Sequence, residues 1–190
     1  MDNINKEEMY QNSMSNNGLQ IFKDFDFENF WSDIFLIETY TEEYPTNELI
    51  ESIEQELGYK LPESYIEFMR VQNGGSLQKC CYPIEKSTTW VSSHILVSDF
   101  AAIGREKNCS ICGPMGAKYR ISEWHLPNTG IYFCETSGGF EVVMFDYSKC
   151  DNNGEPEVVY FDPEVNETIF LAKNFEEFVR NLVDCQETEI

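Results

Sequence analysis

The residues of this chain that could do chemistry are few and widely spaced. Cys109 and Cys112 have the spacing of a metal-binding or redox thiol pair, which becomes reactive when it lies at a helix N-terminus. A structural zinc site needs four ligands, and neither the adjacent cysteines at 80–81 nor His125 completes a standard zinc spacing with this pair. His94 and His125 are 31 residues apart and form no zinc-protease motif. We therefore expect no bound metal and no cofactor.

Carboxylates offer two other kinds of site. Asp151-Asn152-Asn153-Gly154 resembles part of a calcium loop, but position 1 of an EF-hand would fall on Lys149, so a plain turn is the better interpretation. Asp146 and Asp162 could form an acid/base pair, yet solvated strand ends explain them adequately. The chain also contains no Gly-x-Ser-x-Gly elbow and no phosphate-binding glycine loop. We expect that the protein is not an enzyme.

Length and composition favour one domain. A chain of 190 residues with 42% hydrophobic content can bury a single sizeable core. Residues 1–24 are rich in Asn, Gln, Glu and Ser and are expected to form a mobile polar arm. The folded domain is predicted to cover residues 25–186, followed by a short tail at 187–190.

The expected location is the cytoplasm. No apolar run approaches the roughly 20 residues that cross a bilayer, so no membrane association is expected. The N-terminus lacks the basic and apolar regions of a secretory signal. The seven cysteines, an odd number with one adjacent pair, fit reduced thiols better than a disulfide framework.

The net charge is −21, whereas about 2 to 8 net charges suffice for the solubility of a small domain. The first 60 residues hold 14 acids and three bases, and the last 70 hold 15 acids and three bases. Such a chain repels nucleic acid and anionic membranes and attracts a basic partner. General acidity of a cytosolic protein is the alternative explanation, and charge alone does not separate the two.

The N-terminal half is predicted to be mainly helical. Phe30, Trp31, Ile34, Phe35 and Ile37 offer an apolar face for a first helix. A second helix is predicted between a Thr46 cap and Gly58, and a third begins at Pro62, buries Tyr65, Phe68 and Met69, and stops at Asn73-Gly74. Short strands are predicted at 95–97 and 119–121.

The C-terminal half is predicted to form a sheet and one helix. Strands are expected at 131–134, 141–147 and 158–161, the last two joined as an antiparallel hairpin. Asn174 and Glu177 have capping-box spacing before a helix whose apolar residues recur on one face. The predicted fold is therefore α+β, with a central antiparallel sheet flanked by N-terminal helices and a C-terminal helix.

The order of short segments along the chain carries a family resemblance over about residues 28 to 184. These segments are Leu61-Pro62, Asn73-Gly74-Gly75, Thr89-Trp90, Ile103-Gly104, Glu123-Trp124, Pro127, Gly130, Ser137-Gly138-Gly139, Glu141 to Asp146, Asp151 to Pro156, Val158 to Asp162, and Asn174 to Phe178. In this order they resemble the SUKH superfamily, which includes fungal cell-wall regulators and bacterial immunity proteins. Phe140 is a departure, because relatives often carry a histidine after the glycine pair.

The resemblance implies a binding protein that neutralises a cognate antibacterial toxin by covering its active site. A basic nuclease is the expected toxin, because a groove that holds phosphate also attracts carboxylates. The partner-contacting residues proposed from the sequence combine aromatic side chains with carboxylates. They are Trp90, Glu123, Trp124, Asp146, Asp151 and Glu155. Core packing is the alternative role for the two tryptophans. The alternative function is an intracellular scaffold or regulatory adaptor without a toxin partner.

Overall fold

The computed structural model describes residues 19–32, 40–85, 93–136 and 140–185. In these ranges, helices flank a seven-stranded antiparallel sheet, which confirms the predicted α+β fold. The helices are α1 (Asn47–Leu57), α2 (Glu63–Met69), α3 (Ala117–Glu123) and α4 (Phe175–Arg180). The strands are β1 (Gly75–Ser76), β2 (Cys81–Pro83), β3 (His94–Phe100), β4 (Gly130–Thr136), β5 (Val142–Asp146), β6 (Glu157–Asp162) and β7 (Glu167–Ala172).

The strand order is β1-β3-β4-β5-β6-β7, with β2 also paired to β3. The predicted hairpin of β5 and β6 is confirmed, and Val143 lies opposite Tyr160 in it. Strand β7 was not predicted; in it the exposed Thr168 and Phe170 alternate with buried residues. At one end of the sheet Asp146 lies opposite Glu157, and at the other end Val142 lies opposite Phe161.

Helix α1 begins and ends where its local sequence requires. The Thr46 side chain accepts a hydrogen bond from the Leu49 backbone N–H at 3.2 Å, which satisfies a free donor of the first turn. Gly58 takes a left-handed conformation at φ +79° and donates to the Glu54 carbonyl. Both predicted caps are confirmed, and Ile53 on the inner face is fully buried.

Helices α2 and α4 contribute buried aromatic side chains to the larger core. Tyr65, Phe68 and Met69 of α2 are fully buried, as predicted. At the start of α4 the Asn174 side chain accepts from the Glu177 N–H at 2.8 Å. The Glu177 carboxylate in turn accepts from the backbone N–H at position 173, which is a variant of the predicted capping box.

The segment before α1 differs from the prediction. Phe22 is fully buried, so packed structure begins before the expected start at residue 25. The Glu67 carboxylate of α2 holds this segment by accepting backbone hydrogen bonds from residues 20–22 at 2.8–2.9 Å. Trp31 is not helical but forms a β-bridge with Leu77. The rest of the predicted first helix, at 33–39, lies outside the described residues, as does most of the predicted arm.

The prediction of a strand at 119–121 is wrong, because these residues lie in α3. Ala117, Ile121 and Trp124 recur at helical spacing and pack on one face of the sheet. Sequence reasoning missed this period because Tyr119, Arg120 and Ile121 on their own match a short β-prone run.

The expectation that every cysteine is a reduced thiol is also wrong. A disulfide joins Cys81 at the start of β2 to Cys185, 104 residues later. A β-bridge between Cys81 and Val183 brings the chain after α4 beside β2 and places the two cysteines within bonding reach. The remaining five cysteines are free.

The sheet has two covered faces. One packs against α1, α2, α4 and the segment around Phe22, and forms the larger core. The other carries a smaller apolar cluster in which Tyr132, Met144 and Phe161 pack with α3 and Leu126. This second face carries the candidate site, because α3 leaves part of it open.

Candidate functional site

The chain leaves α3 along the open part of the second sheet face. Trp124 caps the C-terminus of α3, and His125 then takes a left-handed backbone at φ +56°. This turn directs Leu126 into the smaller cluster, where it is only 4% exposed. The indole of Trp124 stays half-buried beside the edge of the cluster.

Phe140 approaches Trp124 from the residues that precede β5. The two ring centroids lie 6.2 Å apart, and Phe140 is 61% exposed, the most exposed large apolar side chain of the described residues. Pro163 and Glu164, in the turn between β6 and β7, face them. Together with Glu123 and Leu126 these residues line a depression of about 340 Å³, which we call the Trp124–Phe140 groove.

Trp124 is supported from inside the protein by Arg120. The guanidinium carbon of Arg120 lies 5.1 Å from the Trp124 ring centroid, within the range of a cation–π contact. Arg120 is buried, forms an ion pair with Glu135 of β4, and donates to the Met115 carbonyl at 3.1 Å. These contacts support the indole from the protein side, and Glu135 already pairs with the positive charge behind it.

The carboxylates beside the groove lack counter-ions within the described ranges. Neither Glu123 nor Glu164 forms an ion pair with a described residue, and no Lys or Arg is among the lining residues. Asp162, directly before this turn, is buried, and its Oδ1 accepts from the Glu164 N–H at 2.9 Å. The groove therefore combines exposed aromatic surface with negative charge that the described part of the fold does not neutralise.

A second depression, which we call the α1–α2 cleft, has a different character. It encloses about 370 Å³ between α1, α2 and the loop before β6. Its acidic residues lie beside two cations, since Lys60 pairs with Glu54 and Arg70 donates to the Asn47 side chain at 2.6 Å. Its lining is mainly polar, whereas that of the Trp124–Phe140 groove is mainly apolar.

The structure divides the contact residues predicted from the sequence. Glu123 and Trp124 lie together in the Trp124–Phe140 groove. Asp146, Asp151 and Glu155 lie toward the other end of the sheet, because Phe140 precedes β5 and Asp146 is its last residue. Five strand residues span about 13 Å, so one small site cannot include both groups. Trp90 is outside the described residues.

Two of the three separated carboxylates have local structural roles. Asp146 accepts from the Ser148 N–H at 2.9 Å, and Asp151 accepts from the Asn153 N–H at 2.8 Å. These are hydrogen bonds typical of Asx turns. Glu155 lies on the wall of the α1–α2 cleft. Sequence analysis did not propose Phe140 or Glu164 as contacts, because only the tertiary fold places them beside Trp124.

The potential catalytic groups are not brought together. Burial raises the pKa of Cys109 and of Cys112 to about 12, so neither is an activated thiolate at neutral pH. Cys109 lies near Glu135 and Cys112 near Glu56, so they have different surroundings. Asp146 and Asp162 lie at opposite ends of the β5–β6 hairpin.

The ranges that the structure describes contain neither a metal-ion cluster nor a membrane-spanning helix. No group of three or more His, Cys, Asp or Glu residues in them could hold a metal ion. None of their helices is long and apolar enough to cross a membrane.

The fold is that of a small α+β protein, and the groove is an acidic, partly apolar surface on it. A family model described as SUKH_6, SMI1-KNR4 cell-wall, matches residues 47–179, more than two thirds of the chain. The chain belongs to this family. SUKH proteins are associated with toxin immunity, and the family is not in general catalytic. A search of curated proteins found no match.

Proposed function

We propose that this protein is an immunity protein that binds a cognate antibacterial toxin domain in the cytoplasm and covers its active site. The observation that carries the proposal is the net charge of −21 on a member of a family associated with toxin immunity. Charge of this size speeds association with a basic protein and disfavours contact with nucleic acid or anionic lipid.

A nuclease is the toxin class that this charge suits best. A nuclease must hold phosphates with Lys and Arg, and an acidic protein surface can occupy the same electropositive groove. Glu123 and Trp124 remain proposed contacts. Asp146, Asp151 and Glu155 contribute in this proposal to the long-range field, since they lie away from the groove.

The second candidate is an intracellular scaffold or regulatory adaptor without a toxin partner. The cell-wall description of the matching family favours it. The gene beside this one separates the two candidates. A neighbouring gene for a protein with a basic C-terminal domain would support the immunity function. That function also requires that this protein bind the basic domain stably.

The test is the kinetics of binding to the toxin domain encoded by the adjacent gene, measured at several salt concentrations. Because screening becomes strong beyond about 8–10 Å near physiological salt, the association rate should fall at least about tenfold between about 0.01 and 0.15 M salt. The dissociation rate should change much less. The variant Asp151→Asn with Glu155→Gln should lower the association rate and its salt slope without unfolding the domain, since both residues are exposed.

Two results would contradict the proposal. Absence of a complex between the purified proteins would remove the immunity function and favour the adaptor. An association rate that does not respond to salt would remove electrostatic attraction from the mechanism.

A further inference from the structure

We infer that the Trp124–Phe140 groove is the docking site for a basic segment of the toxin that carries one large apolar side chain between Lys or Arg residues. The inference rests on the proposed function and adds to it the surface used and the chemistry of the segment bound.

Exposed aromatic surface is the first argument. Phe140 is 61% exposed and lies beside the half-buried Trp124, above the apolar side chain of Leu126. Aromatic side chains that lose water on binding supply much of the energy of protein interfaces. An apolar side chain of the partner would cover both rings and continue the smaller apolar cluster outward.

Rigidity is the second argument. Arg120 holds the Trp124 indole through its contact from the protein side, and Glu135 and the Met115 carbonyl hold Arg120. A site that is already ordered loses little conformational entropy when a partner binds. The groove therefore needs no rearrangement of Trp124 to receive an apolar side chain.

Charge complementarity is the third argument, and it selects the partner. Some acids of the described residues pair with the protein's own cations, as Glu54 does with Lys60 and Glu157 with Lys149. Glu123 and Glu164 have no such partner among the described residues, and both line the groove together with the aromatic pair. Lys or Arg side chains on either side of the apolar residue would meet them.

The α1–α2 cleft does not meet the same conditions. It is of similar size, at about 370 Å³, but Lys60 and Arg70 are part of its lining. The four glutamates of its lining still leave a net negative charge, so the difference lies in the other lining residues. The lining of the cleft is mainly polar and includes no aromatic side chain, whereas Trp124 and Phe140 line the groove. The comparison of two depressions on one protein thus favours the Trp124–Phe140 groove.

The first experiment measures binding of the adjacent-gene toxin domain to the full chain and to single-site variants. Phe140→Ala should raise the dissociation rate at least about tenfold, as expected for loss of a central aromatic contact. The matched control is Tyr44→Ala, which removes an aromatic side chain that is 48% exposed and outside the groove, and should change the rate less than about twofold. Both side chains are largely exposed, so melting temperatures should stay close to that of the wild type.

The second experiment uses charge variants of equal net change. Glu123→Gln with Glu164→Gln should lower both the association rate and the lifetime of the complex. Glu51→Gln with Glu63→Gln, in the α1–α2 cleft, should affect the association rate alone, since these residues contribute only to the long-range field.

The third experiment needs no toxin. A synthetic Lys-Arg-Leu-Lys-Arg peptide, titrated into isotope-labelled protein, should shift the Trp124 indole resonance, and Phe140→Ala should abolish that shift. Shifts confined to residues of the α1–α2 cleft would overturn the inference.

The outcomes separate the two proposals. A toxin complex that forms with wild-type kinetics in Phe140→Ala overturns the groove assignment and leaves the immunity function standing. Failure of the wild-type protein to bind the toxin overturns both. Loss of binding in the cleft variant, with the groove variants unaffected, would move the docking site to the cleft.

Discussion

Asp99 should make the stability of this protein depend on pH in an unusual direction. It lies on β3, is only 5% exposed, and stands opposite Glu135 of β4. Burial and the negative charge of Glu135 raise its pKa from an ordinary value of 3.8 to about 7. The hydrogen bond from Ser98 at 2.7 Å and the charge of Arg120 oppose this shift without cancelling it.

The direction of this pH dependence follows from the protons bound by the folded and the unfolded chain. Between pH 3.8 and about 7 the folded protein holds a proton on Asp99 that the unfolded chain has released. Stability from this group is therefore fully present below pH 3.8 and is lost as the pH rises through about 7. The rise in the pKa of Asp99 from 3.8 to about 7 corresponds to roughly 4 kcal/mol in the free energy of unfolding. About 2 kcal/mol of this is lost between about pH 5.5 and 8.5.

The test substitution is Asp99→Asn, which keeps the shape of the side chain and removes its titratable carboxyl group. The free energy of unfolding of this variant, relative to wild type, should rise by about 2 kcal/mol between about pH 5.5 and 8.5 in urea titrations. The control is Asp151→Asn in the exposed turn, whose difference from wild type should stay constant. Cys109, which also lies near Asp99, does not titrate in this range, because burial raises its pKa to about 12. A difference for Asp99→Asn that is flat within about 0.5 kcal/mol would refute the reasoning.

Two further predictions concern stability. Phe22→Ala should lower the free energy of unfolding by about 3–5 kcal/mol in urea titrations, because Phe22 is fully buried against Phe68. Deletion of residues 1–18 should have little effect, and equal effects of the two changes would contradict this prediction. Under oxidising conditions Cys185→Ser should lower the free energy of unfolding by up to about 5 kcal/mol, since the disulfide closes a loop of 104 residues. Reductant should abolish the difference in stability between this variant and wild type. Oxidised Cys81→Ser should still form a disulfide by peptide mapping, because the Cys80 and Cys185 sulfurs lie 3.3 Å apart; free thiols at both would contradict this.

Features set by neighbouring residues were predictable from the sequence. The caps of α1 and α4 depend on hydrogen bonds between positions three or four apart, so Thr46 and Asn174 identify them directly. The β5–β6 hairpin follows from two adjacent apolar, β-prone segments joined by a polar turn. The acidic charge, which carries the proposed function, is a property of composition alone.

Features that join distant parts of the chain required the tertiary structure. Phe140 and Trp124 meet because the second sheet face brings the chain after α3 beside the residues before β5. The same sheet separates Asp146 from Trp124, although the two residues belonged to one predicted contact set. Cys81 and Cys185 are 104 residues apart, and their bond depends on the bridge at Val183. Sequence periodicity indicates which side of a helix or strand is buried. Strand order and register decide which elements end at the same edge of the sheet, and therefore which side chains form one site.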